Sequence, residues 1–436
     1  MKILFYYSVP SSKRFEPLIA IKGSAFFRRP NYDAMRLAYL TRNDEFYYFD
    51  ERVEEKPNLL PDIIAFPVPL NLAYYVQTLA QEWRKHNVKT IAYGVYPSLF
   101  LNESKRHFDV VVRGDITTVW NRIIEDYKSG ELADLYEAGD NPVVFKTRRE
   151  FEKKYGLTPI ISQLRTSYGC FCDPEFRDYC YEGVIYKKEH FWDPREVAQE
   201  VARIQRKMIY IIDDDFLYNI EYAKEILSRC WRLKKMWIFQ TKGIVFKKYL
   251  GILNFLKEHG ARIIYLKEDW LGKNLVQKIY NKDFIKEKEF EIGMIHKNRM
   301  TAGVKIMLGF EGENSRFYLE LLKFLINIKV DFVEISVQTP LPFTETHRRL
   351  ERSRRVNKDL SLYDKWMPVV RLNGMSQNEL YNLLEFLRDG FYSWDSILRR
   401  LILVGPQLGF YNTVFFYLVP NLSYRDNFLE KVGYPP

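Results

Sequence analysis

Cys170, Cys172 and Cys180 fall within eleven residues of the 436-residue chain, and the fourth cysteine, Cys230, lies far downstream. Thiolates are the usual ligands of zinc and of iron–sulfur clusters. So few cysteines, behind an N-terminus that reads as a strand and not as a targeting signal, argue for a reducing, cytoplasmic location and against a disulfide framework. Three thiolates leave a tetrahedral zinc one ligand short, and His190, ten residues on, could supply the fourth. Three thiolates on a [4Fe–4S] cluster instead leave one iron open to an exogenous ligand. The spacing leaves both metals open, with no metal as a third reading. An extended apolar segment, 159–164, precedes the cysteines and a helical pattern, 195–207, follows them. They therefore sit on a strand-to-helix loop, where the carboxyl ends of parallel strands place chemistry.

Other polar groups gather at such ends. The apolar run 208–212 stops at Asp213-Asp214-Asp215-Phe216, and 262–266 stops at Lys267-Glu268-Asp269. Segment 304–308 leads into Gly309-Phe310-Glu311-Gly312-Glu313, and 236–241 carries Gln240 near its end. With the run before the cysteines and 332–337, six strands alternate with helical patterns over 156–350, which predicts a βα barrel, complete or partial.

The elements upstream repeat the alternation. Strand patterns at 2–7, 45–50, 62–67, 88–93 and 108–113 are separated by helical patterns at 32–40 and 72–86 and followed by one at 117–127. The fold class is α/β, with residues 1–128 a doubly wound parallel sheet. Residues 129–155 read as a linker with little regular structure, and 351–436 as a mostly helical region. The sequence holds 31 Tyr and 31 Phe and has a formal charge of +10. That excess suits an anionic small molecule, a nucleic acid or a membrane face, and chooses among none of them. The apolar stretch 401–420 is broken by Gly405, Pro406, Gln407, Gly409 and Asn412, so it reads as buried core, with a peripheral membrane contact as the alternative.

In this order the motifs resemble those of radical S-adenosylmethionine enzymes that carry an N-terminal cobalamin-binding-type domain. Arg29-Pro30, Asp50-Glu51, Pro61-Asp62 and the run 108–115 look like that domain. Thr166-Ser167-Tyr168-Gly169-Cys170 resembles the opening of the cluster loop, and Asp213 to Phe216 the family's second barrel strand end. Glu268 falls where a Gly-x-Glu motif is expected, Leu308 to Glu313 resembles the Gly-x-x-Gly-Glu turn, and Pro340 to Thr344 the sixth strand end.

The resemblance implies a [4Fe–4S] cluster on Cys170, Cys172 and Cys180, and S-adenosylmethionine held near Glu268, Gly309, Gly312, Asp214 and Gln240. It implies reductive cleavage to a radical that abstracts hydrogen, followed by methyl transfer or a radical cyclisation or rearrangement. It adds an external electron donor such as flavodoxin or ferredoxin, a small-molecule or lipid-like substrate, no nucleic acid, and cobalamin as a further candidate cofactor.

Two departures stand out. The family spacing is C-x3-C-x2-C, whereas this chain has C-x-C-x7-C. Seven intervening residues span roughly 25 Å when extended, enough to return Cys180 to a cluster. The N-terminal part also lacks a D-x-H-x-x-G motif, and Tyr96 stands where a glycine-rich turn would let a corrin approach. The expectation is weak or absent corrin uptake, with Tyr96 the obstacle. The rival reading is a non-catalytic binding protein with structural zinc at the three cysteines. Iron analysis after anaerobic reconstitution separates the two: Cys170→Ala, Cys172→Ala and Cys180→Ala should each lose the cluster, and Cys230→Ala should keep it. Normal iron in any of the first three removes that residue from the ligand set.

Overall fold

Parallel strands need long crossover connections, and the helical patterns between the strand runs supply them. The computed structural model describes residues 1–9, 29–55, 57–139, 144–155, 161–169, 171, 174–186, 188–249, 251–267 and 274–425. Its N-terminal sheet contains β1 (Lys2–Tyr7), β2 (Glu45–Asp50), β3 (Ile63–Pro67), β4 (Lys89–Tyr93), β5 (Val110–Arg113) and β6 (Leu135–Glu137). All neighbours are parallel, in the order β2-β1-β3-β4-β5-β6. The winding reverses between β1 and β3, and a crevice opens at their carboxyl ends. β6 corrects the reading of 129–155 as irregular: Leu135 pairs with Val111, and a three-residue strand is too short to show a period in sequence.

The second sheet is built from β7 (Ile161–Leu164), β10 (Met208–Ile211), β11 (Met236–Lys242), β12 (Ala261–Lys267), β13 (Thr301–Leu308) and β14 (Phe332–Val337). Between β7 and β10 lies a small antiparallel pair, β8 (Ser167–Tyr168) and β9 (His190–Phe191). The six parallel strands run in the order β14-β13-β12-β11-β10-β7. Among the described residues β7 and β14 pair with no further strand, so the sheet is an open half-barrel.

Near β14 the C-terminal helices close the amino-end face of that barrel. Arg400, fully buried on the helix Trp394–Leu408, donates to the carbonyls of Val330 (2.9 Å) and Asp331 (2.8 Å). Tyr424, on the helix Val419–Arg425, reaches Glu334 (2.7 Å). The region is mostly helical, and residues 353–376 carry one short 3-10 turn and isolated bridges. One reading needs correction. Within 401–420, Val404, Leu408, Phe416 and Tyr417 are core, but Ile402, Leu403, Phe410, Tyr411 and Phe415 are exposed. No helix among the described residues is long and apolar enough to cross a membrane.

Tyr96 does not face the crevice. Its ring is 2% exposed and stacks on Phe100 (centroids 4.9 Å apart), and its hydroxyl accepts from Gln77 Nε2 (3.0 Å). The short helix Val95–Leu99 turns this side chain into the core, while Gly94 and Val95 line the crevice.

After β13 the chain turns sharply, with Gly309 and Gly312 at φ +90° and +91°, a region costly for other residues. The Glu313 carboxylate closes the turn, accepting from the amides of Gly309 (2.8 Å) and Phe310 (3.0 Å) and from Tyr318 Oη (2.6 Å). Burial pushes this carboxyl up from 4.5 to about 7, against the pull of the three donors.

Tyr96→Gly should therefore cost about 3 kcal/mol or more of stability from the cavity it leaves, with no gain in corrinoid uptake; a stable variant that binds more corrin would restore the obstacle. The raised pKa of Glu313 also has a readout. Its contribution is full below about pH 4.5 and is lost as the pH rises through about 7. Across that window the wild type should lose about 3 kcal/mol relative to Glu313→Gln in denaturant midpoints. A gap that stays constant with pH would contradict this.

Candidate functional site

Three consecutive carboxylates after β10 set the position of the cysteine loop. Asp213 is buried and accepts from the Thr166 amide (2.6 Å), the Thr166 hydroxyl and the Ser167 hydroxyl (2.8 Å). Asp214 pairs with Lys267 Nζ (2.8 Å) at the end of β12 and accepts from the Phe171 amide (3.3 Å). Asp215 accepts from Thr241 Oγ1 (2.8 Å) on β11. Burial raises the pKa of both Asp213 and Asp215, with the hydrogen bonds around Asp213 and the Lys267 charge near Asp215 opposing it. Gln240 joins this group, its amide donating to the Asp213 carbonyl (2.9 Å).

Cys170 and Cys172 lie outside the described residues, as does Glu268, which directly follows Lys267. The described residues beside them are fixed. Gly169 has φ +119°, and a Cβ there would stand 2.8 Å from the Glu189 Cα, so only glycine fits. Phe171 is buried against Phe191 and Tyr218. His190, the candidate fourth ligand for zinc, packs edge-on against Trp192.

Cys180 is half-buried, and its sulfur accepts from the Gly183 amide (3.4 Å), an environment suited to a thiolate. The 3-10 segment Pro174–Tyr179 before it packs on the turn after β13, with the Tyr179 and Phe310 rings 6.1 Å apart. The Leu341 amide donates to the Asp178 carbonyl (2.8 Å), tying the loop to the chain after β14. The loop thus spans the carboxyl ends of the barrel, anchored at β10 through Phe171 and at β13 and β14 through Asp178 and Tyr179. Gly309 and Gly312 lie at the second anchor, Asp214 and Gln240 at the first.

Below this rim a cavity of about 320 Å³ fills the half-barrel. Every strand turns a polar side chain into it: Gln163, Tyr210, Gln240, Tyr265, Lys305 and Glu334. Gly303 makes room for one of them, since a Cβ there would overlap the Tyr265 ring at 2.4 Å. Lys305 pairs with Glu334 (2.9 Å). Isoleucines 161, 212, 238 and 263 supply the apolar wall, and Tyr7, Asn31 and Arg52 of the N-terminal part close the open side. Lys365 enters from the segment after β14, its ammonium 4.0 Å from the centroid of the Tyr181 ring. It has no carboxylate partner among the described residues, and burial pushes its pKa down to about 8 despite the nearby Cys180, Glu182 and Asp214.

A second cavity, about 290 Å³, lies in the crevice at the switch point of the N-terminal sheet. The chain after β1 (Ser8, Val9), β3 (Val68, Pro69, Asn71, Leu72), β4 (Gly94) and β5 (Gly114, Asp115) forms one side. Tyr181, Glu182 and Tyr186 of the barrel form the other. Gly94 and Gly114 sit at φ +105° and +97°. Ser8 Oγ and Tyr93 Oη are buried there without a hydrogen-bond partner among the described residues, an arrangement that suits a ligand with polar edges. No histidine is among the described residues that line it. Tyr7, Asn31, Arg165 and Trp366 border both cavities.

Sequence reasoning missed Lys365, Trp366, Arg165 and the Lys305–Glu334 pair. Lys305 and Glu334 sit mid-strand, where a charged residue at period two signals a polar lumen. The segment holding Lys365 and Trp366 has no periodicity and offered no such signal.

No family model matches the sequence. The bacteriochlorophyllide d C-12(1)-methyltransferase of Chlorobaculum tepidum is 20% identical over 327 residues, covering 71% of this chain and 70% of its own. Among solved structures, the radical S-adenosylmethionine methyltransferase TsrM from Kitasatospora setae, with cobalamin and a [4Fe-4S] cluster bound, aligns with a TM-score of 0.58 at 12% identity, over 81% of this chain and 75% of that one. The cobalamin-dependent S-adenosylmethionine radical enzyme OxsB, with aqua-cobalamin bound, aligns at 0.54 and 14% identity, over 88% of this chain and 56% of that one. A switch-point sheet set against an open six-stranded half-barrel is thus the architecture of the cobalamin-dependent radical S-adenosylmethionine enzymes, and this chain has their fold.

Proposed function

We propose that the protein is a cobalamin-dependent radical S-adenosylmethionine methyltransferase acting on a small organic molecule with an anionic group. The observation that carries this reading is the shared wall between the two cavities. A methyl carrier held in the crevice of the first sheet and a substrate held in the half-barrel meet across Tyr7, Asn31, Arg165 and Trp366. Both known relatives named as methyltransferases agree with this class.

Cys170, Cys172 and Cys180 hold the cluster in this reading; Glu268, Gly309, Gly312, Asp214 and Gln240 surround S-adenosylmethionine; Ser8 and Tyr93 bond the corrin rim. When bound, the cluster supplies the electron that cleaves S-adenosylmethionine, and the corrin supplies the methyl group. The chain's own part is positioning and exclusion of water. Asp213 and Asp214 hold the cysteine loop at the rim, the N-terminal part closes the open side of the barrel, and isoleucine and tyrosine side chains keep the lumen dry. With no histidine among the described residues that line the crevice, the corrin is held by shape and by contacts at its edges. Lys365, a cation without a carboxylate partner among the described residues, receives the anionic group of the substrate.

Anaerobic isolation and reconstitution test this. The expected result is about four irons per chain, stoichiometric corrinoid, and cleavage of S-adenosylmethionine under reduction. With a methyl acceptor present, label from the S-adenosylmethionine methyl group should appear in product. A clustered, reduced protein that binds no corrinoid would overturn the methyl-transfer reading, and a colourless zinc protein would overturn the radical one.

A further inference from the structure

Opposite the cysteine loop, the amino-end face of the half-barrel carries apolar groups that the fold leaves uncovered. The helix Trp394–Leu408 buries Ile397, Val404 and Leu408 on one side. On another it presents Trp394, Leu398 and Ile402, spaced four residues apart and all exposed, Ile402 at 73%. A helix that is apolar on two faces needs a partner for the second. The chain then turns at Gly409, φ +78°, and thrusts out Phe410, 87% exposed.

A second segment comes to the same place. Tyr411 Oη lies 4.0 Å from Met236 Sδ, and Asn412 Nδ2 donates to the Arg299 carbonyl (2.9 Å). Met236 directly follows the turn that exposes Trp231 (58%) and Leu233. Arg232, Lys234, Lys257 and Arg299 stand exposed around these groups, and none is in an ion pair among the described residues. Glu258 is the carboxylate lining the groove between them. Protruding aromatic and aliphatic groups within an unneutralised cationic fringe are complementary to an interfacial bilayer surface bearing negative charge. The chain as a whole carries the same sign, +10.

We propose that this face docks on the surface of an anionic lipid bilayer, with Phe410, Ile402 and Trp231 entering the headgroup boundary and the basic residues meeting lipid phosphates. Docking leaves the carboxyl-end face, with the cysteine loop, turned away from the membrane. The inference does not rest on the proposed chemistry.

Sedimentation of the purified full chain with vesicles tests it. An equimolar mixture of phosphatidylcholine and phosphatidylglycerol should bind the protein, pure phosphatidylcholine should bind it far less, and added salt should release it. Phe410→Ser should weaken binding roughly tenfold or more. Arg232→Glu with Lys234→Glu should weaken it on the order of tenfold, with no change of melting temperature in either variant. Absence of binding to the anionic vesicles at low salt, or full binding by Phe410→Ser, overturns the proposal. Concentration-dependent self-association that Phe410→Ser abolishes, without vesicle binding, would also overturn it and assign the face to a second copy of the chain.

Discussion

The arrangement of the rim depends on one run of three carboxylates. Asp213, Asp214 and Asp215 leave β10 in succession, and each holds a different element. Asp213 takes the opening of the cysteine loop, Asp214 ties that loop to β12 through Lys267, and Asp215 takes β11 through Thr241. Buried carboxylates are costly unless hydrogen-bonded, and Asp213 accepts from three donors. Removing any one partner would leave a charge in a low-dielectric setting, so these contacts specify a single loop position. That is how a loop of unusual cysteine spacing acquires a fixed start.

The two sheets are joined by a comparable device. Arg36, fully buried, pairs with Asp115 (2.7 Å), donates to Thr117 Oγ1 (2.8 Å) and to the Val144 carbonyl (2.8 Å), and lies over the Tyr168 ring at 4.9 Å. Asp115 follows β5 of the first sheet, whereas Tyr168 opens the cysteine loop of the second. The Arg165 amide donates to Tyr32 Oη (3.2 Å), whose own proton goes to the Phe145 carbonyl (3.2 Å). Movement of the crevice relative to the cysteine loop would break a fully desolvated guanidinium network, which is among the costlier rearrangements available to a protein. The cavities on either side of Arg165 therefore keep a fixed relation.

Sequence reading found the elements whose pattern is their own. β1, β2 and β14 stand at the expected bounds, because alternating or continuous apolar runs between turn residues leave few alternatives. It singled out Asp214 and Gln240 because polar residues at strand ends have no core role, and the structure places both at the carboxyl ends of β10 and β11. It misplaced Tyr96: position along the chain put it beside a crevice, but the direction of a side chain at the first turn of a helix is set by tertiary packing, here by Gln77 and Phe100. It missed β6, which is a strand only because β5 offers an edge. It treated 401–420 as core because apolar composition does not tell a covered face from a bare one.

Lys365 shows what remains invisible without coordinates. Its backbone has φ +65°, in the left-handed region that a side chain with a Cβ pays to occupy. Its carbonyl accepts from the Val337 amide (2.8 Å), so the end of β14 holds it there. Its side chain lines the half-barrel cavity, where the Tyr181 ring offers a partial counter-charge and no carboxylate among the described residues completes it. Backbone strain and a partly buried charge without a carboxylate partner among the described residues each cost stability. Lys305, in the same lumen, carries no such cost, since Glu334 neutralises it. The contrast separates the two lysines: one charge is part of the barrel's own packing, and the other has no carboxylate partner among the described residues.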